Sequence, residues 1–242
     1  MFEAWRNGSM RFSALVRIFK RKTNKRICIT TYFDEKFAPI GNLCYKTLQI
    51  YGALNKFDVV LLKNIVSRRP PPWHKILVIR QLFASHYDYV FWIDADAIFV
   101  DCGRNIADEI EEDKELYLVK HNIDSKEIPN TGVILIRNSE WSHNLLSQIW
   151  EKQEYIGHKW WENAALIDIL GYHDLLNENQ PNKLNLDLLK KIKWLGLEWN
   201  SLPGICESES SLIKHYASRS FEDRMENMLH DIQLYSKNRL RG

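Results

Sequence analysis

Short apolar runs alternate with stripes at helical spacing along this chain, the order expected of an α/β protein. Arg26 to Tyr32 is apolar and then abruptly polar, and Phe57 to Leu62 is a second short run, so both read as strands. Gly41 to Ala53 between them fits a helix, which gives a β-α-β opening and favours a doubly wound sheet. Trp73 to Ser85 predicts another helix, leading into Tyr89 to Ile93, which is aromatic or β-branched without charge or glycine. A run of that kind is a strand buried on both faces of a mainly parallel sheet. Further on, the pattern predicts a polar, acidic helix around Ile106 to Asp113 and a strand from Leu116 to Lys120. Pro129 to Gly132 is a turn signal, Val133 to Ile136 a strand, and Ser139 to Tyr155 an amphipathic helix. Glu162 and Asn163 begin an apolar helix, Leu212 to Tyr216 is a short strand, and Phe221 to Tyr235 is a closing helix. Leu184 to Leu189 and Ile192 to Leu195 are ambiguous.

Composition keeps this picture and narrows it. The chain has 242 residues, 45% of them hydrophobic and 26% charged, enough for one globular α/β domain over residues 26–242 after a basic segment 1–25. Thirty-three basic residues nearly balance 31 acidic ones, which argues against a nucleic-acid partner. The balance is uneven, however: residues 11–26 hold seven Lys or Arg and no acid, with Phe12, Leu15, Val16 and Phe19 on one helical face. Such a helix either packs on the domain or meets an anionic membrane surface peripherally. Cys28, Cys44, Cys102 and Cys206 form no Cys-x-x-Cys pair, and no run approaches a membrane span. A cytoplasmic location, peripheral to the inner membrane face if the basic helix binds lipid, is the expectation.

The candidate chemistry lies where the central run ends. Asp94 and Asp96 flank Ala95 just after Ile93. On an extended backbone residues i and i+2 share a side, so both carboxylates could converge on one cation at the carboxyl end of the sheet, where ligands of open α/β folds gather. Thr30, Thr31 and Tyr32 stand on the same rim if their strand is parallel. No Gly-rich phosphate loop is present, so a metal on a carboxylate pair is the obvious way to neutralise a nucleotide's phosphates. Lys75 reads either as a diphosphate contact or as a surface lysine, Glu162 as a cleft acid or as a helix cap, and His215 as a ligand or a structural histidine.

Four segments together resemble the galactosyl/mannosyl/xylosyltransferase family of GT-A-fold retaining glycosyltransferases. They are Trp73-His-Lys-Ile-Leu-Val-Ile-Arg80, Phe91-Trp-Ile-Asp-Ala-Asp-Ala97, Asn130-Thr-Gly-Val-Ile-Leu-Ile-Arg-Asn138 and Ile213-Lys-His-Tyr-Ala217, in the family's order. The resemblance implies a single Rossmann-like, mainly parallel sheet flanked by helices. It also implies transfer of a hexose, with retention, from a nucleotide-diphosphate sugar, UDP-linked by preference, to a glycan or glycolipid. Asp94, Asp96 and His215 would hold Mn²⁺ or Mg²⁺, a choice that suits oxygen ligands with one imidazole. Thr30, Thr31 and Tyr32 would hold the base, Asp94 and the Ala95 backbone the ribose, and Asn130 and Gly132 would border the sugar. Lys75, Arg80 and Arg219 would complete the donor contacts, with Glu162 and Asn163 as the catalytic pair near the anomeric carbon. The segment after His215, Tyr-Ala-Ser-Arg, lacks the family's usual glycine and cysteine, and Asn163 replaces a Gln. A non-catalytic nucleotide-sugar- or glycan-binding protein on the same fold is the alternative.

Overall fold

A computed structural model describes residues 25–239 apart from 64, 174 and 177–182. The basic stretch of residues 11–24, with its expected helix, lies outside the described residues. The strands are β1 (Ile27–Thr31), β2 (Asp58–Leu61), β3 (Tyr89–Ile93), β4 (Ala97–Phe99), β5 (Leu116–Ile123), β6 (Lys126–Arg137), β7 (Ile192–Leu195) and β8 (Ile213–His215). The helices are α1 (Ala38–Asn55), α2 (His74–Ala84), α3 (Glu140–Glu151), α4 (Trp161–Leu170), α5 (Leu186–Leu189) and α6 (Phe221–Arg239).

Six strands form one sheet in the order β2-β1-β3-β6-β5-β7, and only β6 runs against the rest. The expected mainly parallel, helix-flanked sheet is therefore present. Alternation along each strand divides the core between its two faces. Tyr89, Phe91 and Ile93 join Ile27, Ile29 and Met228 on the α1/α6 side, while Val90 and Trp92 join Cys28, Ile79 and Leu146 on the α2/α3 side. Burial on both faces is why these strands read as unbroken apolar runs.

Two expectations need correction. Pro129 to Gly132 is no turn but the middle of β6, which pairs with β5 out to Ile123 and Lys126. The hairpin reverses instead at Asp124 and Ser125, whose positive φ values of 50° and 61° match the twist of a two-residue hairpin turn. The acidic helix around Ile106 to Asp113 is only a 3₁₀ turn, Ile106–Glu109, capped by the Asn105 side chain. Among the described residues no helix is long and apolar enough to cross a membrane.

Candidate active site

Asp94 and Asp96 converge because the chain turns there, not because it stays extended. The Ala97 amide donates to the Asp94 carbonyl at 2.9 Å, closing a tight turn between β3 and β4. The Asp94 amide donates to the Gly132 carbonyl at 2.7 Å, which anchors the turn to β6. β4 then pairs antiparallel with β8, placing Ala97 opposite His215. As a result His215 Nε2 lies 3.3 Å from Asp96 Oδ1 and 3.9 Å from Asp94 Oδ2. One ligand atom from each of the three residues falls within 4.8 Å of the others.

A buried lysine and a half-buried arginine flank this group. Lys75, from α2, is 2% exposed; its Nζ is 3.0 Å from Asp94 Oδ1 and 2.6 Å from Glu162 Oε1, and it donates to the Thr131 carbonyl at 2.9 Å. Arg224, from α6, places Nε 3.0 Å from Asp96 Oδ2. Trp92 Nε1 donates to Asp94 Oδ1 at 2.6 Å. Burial would raise the Asp96 carboxyl, but His215 and Arg224 outweigh it and hold the group down at about 2. Burial disfavours charge on His215 and Lys75 as well, yet their carboxylate neighbours push both upward. At Glu162 burial wins over the pull of Lys75, with Asp94 adding repulsion, so its carboxyl sits above the usual range. Glu162 Oε2 is buried without a protein partner.

These residues open on a cleft of about 490 Å³, with Tyr32, Trp92, Asn130, Trp160, Trp161 and Leu202 among its walls. The donor set fits a hard divalent cation: two carboxylates, one imidazole and no thiolate. The space fits too. A Cβ at Gly132 would lie 2.2 Å from His215 Cε1, so only glycine leaves room for the imidazole to face the aspartates.

With that geometry in view, comparison with known proteins is decisive. Residues 36–127 match the galactosyl transferase GMA12/MNN10 family. Over this segment, well under half of the chain, the sequence is similar to that family. Among its relatives, xyloglucan 6-xylosyltransferase 4 of Arabidopsis thaliana is 31% identical over 45% of this chain and 23% of its own length. The protein named "Probable alpha-1,6-mannosyltransferase MNN10" of Saccharomyces cerevisiae is 25% identical over 73% of this chain and 50% of its own. The chain thus spans half or less of the length of these relatives. A solved glycosyltransferase involved in glycosylation of the major capsid of PBCV-1 superposes with a TM-score of 0.66 at 10% identity, covering 85% of this chain and 99% of that one. The shared architecture is the GT-A fold of glycosyltransferases.

Most of the residues that the family resemblance singled out meet at the cleft: Tyr32, Asp94, Ala95, Asp96, Asn130, Gly132, Glu162, Asn163 and His215 line it, and Lys75 lies behind it. Asn163 Oδ1 accepts the Thr131 amide at 2.9 Å, which ties the start of α4 to β6. The structure places four others elsewhere. Thr30 and Thr31 are buried inside β1, Thr30 donating to the Val60 carbonyl at 2.8 Å. Arg80 reaches Ser147 Oγ at 2.7 Å between α2 and α3, and Arg219 donates to the Pro203 carbonyl at 2.6 Å. The cationic side chain near Asp96 is Arg224, one helical turn into α6. Sequence reading passed over it and over Asn200 and His121. Arg224 carried a weak signal, as a lone arginine in the acidic first half of a helix; the other two carried none.

Proposed function

We propose that this chain is a metal-dependent glycosyltransferase that moves a hexose or a related sugar from a nucleotide-diphosphate donor to a glycan or glycolipid acceptor with retention. The observation that carries the reading is the meeting of the half-buried Asp94 and Asp96 with the buried His215, beside the Lys75–Glu162 pair in one cleft. Asp94, Asp96 and His215 would hold Mn²⁺ or Mg²⁺, which supplies Lewis acidity for the leaving diphosphate. Arg224, already in the cleft wall, adds positive charge on that side. Tyr32 and Trp92 offer aromatic faces and edges for a base or ribose, while Asn130 and Asn163 line the cleft where sugar hydroxyls would need polar contacts.

The environment of Glu162 favours front-face attack, in which the departing phosphate oxygen takes the acceptor's proton. A carboxylate acting as nucleophile needs a free oxygen near the anomeric carbon. Here Oε1 is committed to Lys75 at 2.6 Å and to the Thr131 hydroxyl at 3.1 Å, and Oε2 is buried, so neither oxygen is presented to the cleft. Glu162 then serves to balance the charge of Lys75 beside the cation site. UDP is the donor nucleotide of this reading, and a peripheral association of residues 11–26 with an anionic membrane would suit a glycolipid acceptor.

Screening UDP- and GDP-sugars for Mn²⁺-dependent hydrolysis or transfer tests the reading. Turnover should require the metal and fall at least about a hundredfold in Asp94→Ala and Asp96→Ala with the fold intact. Undiminished, metal-dependent turnover in both variants would sink it. Binding of UDP with Mn²⁺ but no turnover on any donor would favour a binding protein instead.

A further inference from the structure

The hydrogen bonds behind His215 form a chain whose polarity can be read from one unambiguous donor. The Gly132 backbone amide donates to Asn130 Oδ1 at 2.7 Å, which identifies that atom as the carboxamide oxygen. Asn200 contacts the same oxygen at 2.9 Å and must do so with its Nδ2 hydrogens. Its own oxygen therefore faces the other way, onto His215 Nδ1 at 3.0 Å. An oxygen there accepts, so His215 carries its proton on Nδ1 and keeps the lone pair on Nε2, the atom 3.3 Å from Asp96. Asn200 is fully buried and fixed on both flanks: its amide donates to Leu197, and the next residue, Ser201, is bonded to Ile213 and accepts the His215 amide at 2.8 Å. Its backbone carbonyl also accepts His121 Nε2 at 2.6 Å.

We infer that Asn200 is a positioning residue that fixes the tautomer and ring orientation of His215, so that the Nε2 lone pair is ready for a divalent cation before one arrives. This rests on the metal-dependent reading above and adds a residue from outside every matched motif. An outer partner on the second nitrogen of a ligating histidine orients the ring, and its loss typically weakens metal binding about 10–100-fold. Through Asn130 the same side chain links the cation site to the sugar side of the cleft.

Two measurements test this without any sugar donor. In metal-free wild-type protein, at alkaline pH where the ring is neutral, ¹⁵N NMR of labelled histidine should show the His215 proton on Nδ1. A proton on Nε2 would overturn the inference, and this arm needs no variant to fold. Mn²⁺ titration followed by EPR should show Asn200→Ala binding about 10–100-fold more weakly than wild type. Asn200→Asp keeps an acceptor on Nδ1 but sets a carboxylate oxygen against Asn130 Oδ1, so it should recover part of that loss. Equal affinity in Asn200→Ala and wild type would overturn the role of Asn200 alone. No Mn²⁺ binding by the wild type would overturn the metal reading, and this role with it.

Discussion

Lys75 sets the charge balance of the cleft. Among the described residues it is the one cation in contact with both Asp94 and Glu162, and it has almost no solvent to share the task. Removing one member of a buried pair leaves the others uncompensated, so Lys75→Ala should destabilise by about 3–5 kcal/mol in chemical denaturation. The pH dependence has a defined sign. Burial already holds the Glu162 carboxyl above its ordinary range, and a group raised in the folded state stabilises at low pH and loses that contribution as pH rises through its folded value. Without Lys75 the rise is larger, so the deficit of the variant should be smaller at about pH 5 than at about pH 8. A deficit independent of pH would show that Glu162 does not depend on Lys75. Gly132 makes a steric rather than an electrostatic contribution. In Gly132→Ala the new methyl would overlap the His215 ring, so Mn²⁺ affinity measured by EPR should fall at least about tenfold.

At the scale of elements, the small β4–β8 pair matters more to the site than its three residues a strand suggest. It brings His215 alongside the Asp94–Asp96 turn from 119 positions later (215 − 96). The long β6 adds the floor. Its register with β5 shifts between Tyr117↔Leu135 and Val119↔Asn130, and that irregularity lets Thr131 reach Lys75 and Glu162. This is why Pro129-Asn-Thr-Gly misleads as a turn signal: the same residues that break a regular ladder also serve a bulge inside a strand. Helix α6 supplies Arg224, whose Nε also donates to the Tyr216 carbonyl. Arg224→Ala should weaken UDP binding in the presence of Mn²⁺ about tenfold by calorimetry, in line with losing a charge-assisted contact. An unchanged affinity would confine Arg224 to holding Asp96.

Over the whole molecule, both apolar layers share one sheet, so neither face can open without exposing the strands between them. Tryptophan fluorescence and far-UV circular dichroism should therefore report one coincident urea transition. Separate transitions would mean that the two faces unfold independently. A ligand that binds only the folded protein at a hundred times its Kd adds about 2.7 kcal/mol. UDP with Mn²⁺ at that level should raise the melting temperature by roughly 5–10 °C for a chain of this size.

The sequence alone determined the main strands and helices of the sheet, because burial on both faces writes itself as continuous apolar runs at β1 and β3. It also determined that Asp94 and Asp96 close the central strand, and, through four ordered motifs, the family that the chain resembles. Tertiary structure decided which polar residues share a cleft. Arg80 closes a matched motif and Thr30 lies near the end of the first strand, yet both point into packing between elements, while Arg224 comes from a late helix with a weak signal and Asn200 from a loop with none. The physical reason is range. Periodicity records what each residue does within its own element, whereas the site is assembled by the turn at Asp94, the β4–β8 pairing and hydrogen bonds between residues as far apart as Asp96 and Tyr216, 120 positions along the chain (216 − 96).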